Sequence, residues 1–309
     1  MIERVFQWLH EKKAFDGPRI VDIKCGRSFA AVALDDGSVG TAMDYSYYPA
    51  LEHVELRASE RPWQQLDDVF ISSPAEAIVQ ALGGPDLQER AIAVAALSAF
   101  SQPYFEHSAL NSAGLLRWDQ DYATYHTAAG AAGPEYLRSV VRTVAPEGEA
   151  IIGVVGFGGM LHLFNALPEV RSIVVLDLHV QGRRGEVLTD AIRRMNRNAG
   201  YERVMLGNDS LQETLERCDI VQITGSSMSN GTFDEIIHTA AGSFVILQGP
   251  TAALAPIPLF DIGVNLICTE LKDAQFLHAY DHDDRAYEWW VEFDRRVFVA
   301  ERPECAQSS

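Results

Sequence analysis

The sequence predicts an α/β protein: a Rossmann-like, doubly wound parallel sheet preceded by a smaller α+β domain. Three observations carry this. From residue 150 onward, short apolar runs alternate with amphipathic helical patterns, as they do when parallel strands are covered on both faces. Before residue 145, three short strand patterns are followed by helices. Between the two halves, Ala145-Pro146-Glu147-Gly148 interrupts both patterns and sets domains at 1–145 and 146–309. A chain of 309 residues is long enough for two cores of ordinary size.

In the first half, Ile2 to Lys13 reads as an amphipathic helix with Val5, Phe6 and Leu9 toward one side, broken by Gly17-Pro18. Arg19 to Cys25, Phe29 to Leu34 and Ser38 to Tyr45 read as strands, with Asp35-Asp36-Gly37 as the hairpin turn between the last two. Ser46 to Pro74 reads as loop. Ser73-Pro74 starts a helix that Gly83-Gly84-Pro85 stops, and Leu87 to Phe100 forms a buried, alanine-rich helix. Ala109 to Gly133 carries no clear pattern, and Leu137 to Val144 is helical.

In the second half the expected strands are Ala150 to Val155, Ser172 to Leu178, Arg203 to Leu206, Asp219 to Ile223, Ser243 to Leu247 and Leu266 to Leu271. Right-handed crossovers then favour a doubly wound sheet. Asp284 to Phe293 reads as an acidic and aromatic helix, followed by a polar tail expected to be disordered.

Composition limits the function. There are 43 Asp and Glu against 25 Lys and Arg, a formal charge of −18, which repels phosphate backbones and anionic membranes. No nucleic-acid or membrane partner is expected. Cys25, Cys218, Cys268 and Cys305 form no C-x-x-C pair, so reduced thiols in a cytoplasmic protein are the expectation. The longest apolar run, Ala91 to Phe100, is shorter than the roughly 20 residues that span a bilayer. Met1 to Phe15 has no secretory-signal pattern. The partner expected is a small molecule, and a homo-oligomer is compatible with the sequence.

The stretch Val221 to Thr232 runs from an apolar strand through a loop of hydroxyls and glycines into a helix. Thr232-Phe233-Asp234-Glu235 has the spacing of a capping box. Thr224, Ser226, Ser227, Asn230 and Thr232 then stand at the carboxyl end of a strand, suited to an anionic or oxygen-rich ligand. The same residue types also serve ordinary turns. Gly249, Pro250 and Thr251, after the fifth strand, lie at the same sheet edge. Gly156 and Gly158 supply two glycines of a dinucleotide fingerprint, but Leu161 occupies the third position. Asp177, 21 residues beyond Gly156, is placed to accept from a ribose hydroxyl. That arrangement serves NAD(P) or S-adenosylmethionine equally. All these residues are expected to face one cleft, to which Asp44 and Tyr45 could contribute.

His278 and His282 share a helix face near Asp281 and Asp283, a weak metal-binding pattern without an H-E-x-x-H motif. Cys218 falls at the wrong sheet edge for the cleft, Cys268 falls inside a strand, and Cys25 could reach an interdomain cleft. No G-x-S-x-G elbow is present, since Thr224 to Met228 lacks the second glycine.

Four segments together carry a family resemblance: Ile223-Thr224-Gly225-Ser226, Ser229-Asn230-Gly231-Thr232, Gln248-Gly249-Pro250-Thr251 and Phe260-Asp261-Ile262-Gly263-Val264. They resemble the bacterial and archaeal family named for heavy-metal chelation, over about Gly153 to Asp273. The upstream turn Asp36-Gly37 with Gly40-x-Ala42 is similar to that family's companion domain, of enolase amino-terminal-like fold. The resemblance implies a pocket between two domains lined by Thr224 to Thr232 and Gly249-Pro250-Thr251, and no settled chemistry. The expected function is binding or processing of a small polar, metal-chelating metabolite. The alternative is a metabolic enzyme using NAD(P) or S-adenosylmethionine.

Overall fold

The computed structural model describes residues 1–26, 29–46, 67–121, 135–156, 160–177, 182–199, 202–207, 210–282 and 295–301. Helix α1 (Ile2–Glu11) buries Ile2, Val5 and Leu9, spaced to line one helix face. Strands β1 (Ile20–Cys25), β2 (Phe29–Leu34) and β3 (Val39–Met43) form an antiparallel meander in that order. Gly37 turns the hairpin at φ 91°, and the Ser38 amide donates to Asp36 Oδ1 at 2.9 Å.

Part of the stretch expected as loop is helical: α2 (Asp67–Ser72) buries Phe70 against the small unit's core. Helix α3 (Pro74–Gly83) begins with proline in its first turn, as expected, although the Ser73 side chain makes no capping bond. Helix α4 (Leu87–Ser101) is capped by Asp86, which accepts from the Gln88 and Glu89 amides; such a cap contributes about 1 kcal/mol. Its alanines have a geometric cause. Ala91, Ala93, Ala95, Ala96 and Ala99 are all fully buried, because the helix is clasped between the small sheet and the second half of the chain. At Gly40 on β3 the approach is so close that any side chain would overlap the Ala95 carbonyl and the Ala99 amide. The other face of the meander packs Ala31, Ala33 and Val39 on Phe276 and Leu277.

Helix α5 (His107–Ser112) leads to β4 (Leu115–Asp121), and α6 (Glu135–Val144) follows. The six parallel strands are β5 (Ala150–Val155), β6 (Val170–Leu176), β7 (Val204–Leu206), β8 (Ile220–Thr224), β9 (Phe244–Gln248) and β10 (Leu266–Leu271). The eight-stranded sheet has the order β4-β11-β10-β9-β8-β5-β6-β7, with β11 (Arg295–Glu301) antiparallel to both neighbours. Strand β4, from before residue 145, thus belongs to the large sheet.

Each expected strand of the second half lies within two residues of its observed bounds. The carboxyl-terminal reading needs correction: part of the tail expected to be disordered is β11, whose Val297, Phe298 and Val299 are fully buried. The helix expected over Asp284 to Phe293 lies outside the described residues.

The connecting helices are α7 (Leu161–Ala166), α8 (Gly182–Ala199), α9 (Leu211–Leu215), α10 (Ser226–Ser229), α11 (Phe233–Thr239), α12 (Pro256–Phe260) and α13 (Ala274–His282). One sheet face carries Ile152, Val154, Ile246 and Phe298 against Leu137, Phe164 and Leu188. The other carries Val221, Ile223, Leu247 and Val299, and its core runs on without a break into α1, α3 and α4. Among the described residues no helix is long and apolar enough to cross a membrane.

Candidate functional site

The chain runs outward from β5 through β6 to β7, returns to β8 and continues the other way. The direction changes between β5 and β8, and ligands of open α/β sheets settle at the carboxyl ends of strands beside such a change. Here Gly156 follows β5 at φ 84°, a conformation that favours glycine, and its amide donates to the Leu176 carbonyl at 2.7 Å. A methyl group at Gly156 would overlap Thr224 Cγ2. The turns after β5 and β8 therefore touch.

The turns after β8 and β9 are joined as well. The Gly225 amide donates to the Gln248 carbonyl at 2.6 Å, and any Cβ on Gly225 would lie 2.5 Å from the Ala252 nitrogen. Gly249, at φ 108°, faces open space, held by its amide on the Cys268 carbonyl and by the Thr269 hydroxyl on its own carbonyl.

The polar side chains of this edge divide into two groups. Ser227 donates to the Thr224 carbonyl at 2.7 Å, Thr232 donates to Asn230 Oδ1 at 2.7 Å, and Thr251 Oγ1 accepts from the Met43 amide at 3.1 Å. The first two hydroxyls donate within the protein and the third accepts, while Ser229 Oγ, fully buried, has no partner. Thr224 Oγ1 accepts from the Ser226 amide and donates to Ser226 Oγ at 3.2 Å, which leaves the Ser226 proton directed to no described group. Asn230 Oδ1 accepts from both the Thr232 amide and hydroxyl, so its orientation is determined and its Nδ2 donates to no described group. The capping box expected at Thr232 does not form: the Thr232 backbone is in the right-handed helical region (φ −88°, ψ −7°) rather than extended, and its hydroxyl donates to Asn230 Oδ1.

Beneath this edge Gln222 and Gln248 pair through Nε2 to Oε1 at 3.0 Å, both buried, with Gln222 Oε1 left without a partner. Asp177 lies half-buried at the end of β6, two strands from Thr224, on the order of 10 Å away at ordinary sheet spacing. Pro250 is half-buried and opens a 3-10 turn over Pro250–Ala252. Gly158, like Asp283, lies outside the described residues.

The small unit grips these loops. Besides the Met43–Thr251 bond, Arg90 of α4 donates from Nε to the Met228 carbonyl at 2.9 Å and from Nη1 to the Leu82 carbonyl at 2.6 Å. Asp44, just past β3, is fully buried; it accepts from the Ser46 amide at 2.8 Å and from Gln88 Nε2 at 3.4 Å. Burial pushes the Asp44 carboxyl above its ordinary value of 3.8, against the pull of the Ser46 and Gln88 bonds, and the charge of Asp86 adds to the rise. Sequence reasoning passed over Arg90, Gln222 and Gln248. The available signal was a charged residue in an alanine-rich helix and two glutamines at the ends of apolar strands.

Among the described residues no group of three or more His, Cys, Asp or Glu side chains could hold a metal ion. His278 is exposed, and the side chains of Asp281 and His282 lie outside the description. Cys218 is buried against Gly153, and burial pushes its thiol up to about 11, where little thiolate exists at neutral pH. Cys268 is fully buried, and Cys25 sits on the edge strand of the meander. A groove of about 450 Å³ opens elsewhere, between α1 and α3, lined by Phe6, His10, Glu76 and Val79. Gln7 and Gln80 also line it, and it lies away from the carboxyl ends of the strands, which remain the candidate site.

A Rossmann-like sheet with polar groups at its switch point, gripped by an α+β unit, defines the fold class of the chain. The chain belongs to the family described as "Putative heavy-metal chelation": two family models of that description match residues 9–101 and 147–275. Among solved structures it is similar to a protein of unknown function of this family from Pyrococcus horikoshii, at 18% identity over 97% of this chain and 98% of that one, TM-score 0.62. A family protein of unknown function from Desulfitobacterium hafniense is similar at 15% identity over 96% and 98% of the two chains, TM-score 0.59. At these identities the likeness bears on the fold alone. No curated protein matches the chain.

Proposed function

We propose that the protein binds a small polar metabolite, one able to chelate a metal, in the crevice at the carboxyl ends of β5, β8 and β9. The observation that supports this is the junction of three turns, Gly156 on Thr224 and Gly225 on Gln248, around the unengaged donors of Ser226 and Asn230. Thr224 shapes the floor, Gly249 leaves room for the ligand, and Asp177 receives a hydroxyl or cationic group. The chelating character of the ligand follows the family's description. A role in metal homeostasis, in the cytoplasm, is part of the same proposal.

Native mass spectrometry of gently purified protein tests the proposal. A bound small molecule, lost on Gly249→Val, is the expected result. Its absence from every preparation would count against the reading.

A nucleotide cofactor is the second reading, favoured by the strand order and by Gly156 with Asp177. NAD(P) or S-adenosylmethionine at about a hundred times its dissociation constant should then stabilise the protein by about 2.7 kcal/mol. Asp177→Ala should remove that shift. No thermal shift with either cofactor ends this alternative.

A further inference from the structure

The crevice reading leaves open which chemical group the loop recognises, and the wiring of its hydrogen bonds narrows the choice. Asn230 is 3% exposed, and its amide cannot be turned over, because the Thr232 backbone N–H at 3.1 Å demands an oxygen opposite it. The Thr232 hydroxyl, at 2.7 Å, donates to the same oxygen. What Asn230 has left to offer is an NH2 group, a donor only. Ser226 stands one turn earlier, its carbonyl accepting from the Asn230 amide at 3.2 Å. Its Oγ accepts from the Thr224 hydroxyl, which leaves its own proton uncommitted. Asn230 thus presents a donor only and Ser226 a hydroxyl with a proton to give, while Ser229 Oγ, the other hydroxyl of the turn without a partner, is fully buried.

We infer that Ser226 and Asn230 receive an oxyanion, a carboxylate or phosphate carried by the ligand. This rests on the crevice being the binding site. Two donors held by other bonds lose little freedom on engaging an anion, and hydrogen bonds to a charged acceptor are about twice as strong as neutral ones. With a formal charge of −18, the protein repels such a ligand at long range, so its recognition depends on these short-range donors.

The test follows the Asn230 side-chain NH2 and the backbone amides of residues 224–232 by NMR while four probes are added: inorganic phosphate, malonate, ethylenediamine and glycerol. Phosphate or malonate should shift these resonances saturably, and whichever acts alone identifies the source of the oxyanion. Asn230→Asp keeps the acceptor for Thr232 and converts the donor into a like charge. It should weaken binding about tenfold or more, with Ser226→Ala weakening it severalfold, at unchanged melting temperature. Equal affinity in Asn230→Asp would mean the anion sits elsewhere and would overturn the inference. If ethylenediamine or glycerol shifts the loop and neither anion does, the oxyanion assignment falls while the crevice stands as a binding site. If no probe shifts residues 224–232, both fall.

Discussion

Two polar clusters stand at the same edge of the large sheet, and they are built on opposite principles. At the end of β10, Glu270, Lys272 and Arg296 are at most 5% exposed, with Lys272 Nζ 3.2 Å from Glu270 Oε2 and the Arg296 guanidinium against Glu270 Oε1. At the end of β8, the loop from Thr224 to Thr232 carries no charge, and its bonds leave the Ser226 proton, the Asn230 NH2 and the buried Ser229 hydroxyl without a described partner. The first cluster sets one buried carboxylate between two cations, and its Arg296–Glu270 contact joins β11 to β10. The second is uncharged, with polar groups directed to no described partner. Position at a strand end is thus a weaker sign of a site than the saturation of the groups found there.

The comparison can be broken first at its charged member. Glu270→Gln leaves two buried cations without their shared carboxylate and should destabilise the fold by about 3–5 kcal/mol in urea unfolding. A loss below about 1 kcal/mol would mean that solvent reaches the cluster. The next effect lies where β5 meets β8. Gly156→Ala forces alanine to φ 84° and onto Thr224, at about 1–3 kcal/mol. Adding Thr224→Ser, which deletes the overlapped methyl, should recover part of that loss but not the backbone strain. No recovery would mean that the two turns are not in contact.

Within the loop the effects shrink. Thr232→Val removes one of two donors to Asn230 and should cost about 1 kcal/mol. Asn230→Asp should leave unfolding nearly unchanged, and a large loss there would show that its amide nitrogen has an internal partner after all.

The smallest effect concerns Asp44. Its pKa is raised in the folded chain, so the folded state holds that proton more tightly than the unfolded chain does. This contribution is present in full below the ordinary carboxylate value and is lost as pH rises through the raised folded value. Asp44→Asn, which cannot ionise, should remove that decline from melting temperatures followed from acid to neutral pH. Superimposable curves for the two proteins would show that Asp44 titrates alike in the folded and unfolded chain, as a solvated carboxyl does.

Much of this could be read before the coordinates. The six parallel strands were legible because residues buried on both faces leave continuous apolar runs, and the candidate edge followed from the rule that ligands sit at carboxyl ends. Strand β11 was not legible. Its two leading arginines read as solvated, whereas Arg296 is buried by a carboxylate on β10 that only the antiparallel register brings opposite it. Strand β4 was missed for a related reason, since its register is set by β11 from 180 residues away in the chain. Among the hydroxyls of the site, composition could not separate the engaged from the free. Thr251 accepts from the Met43 amide, 208 residues distant, and Thr232 donates to Asn230 Oδ1.

The amino-acid sequence by itself determined the six parallel strands, the glycines at the sharp turns and the family, because these depend on local periodicity and local steric freedom. Only the tertiary structure decided which polar atoms are satisfied, since a hydrogen-bond partner is a matter of proximity in space. That decision separates the ion cluster that joins β10 to β11 from the loop in which Ser226 and Asn230 keep donors directed to no described group.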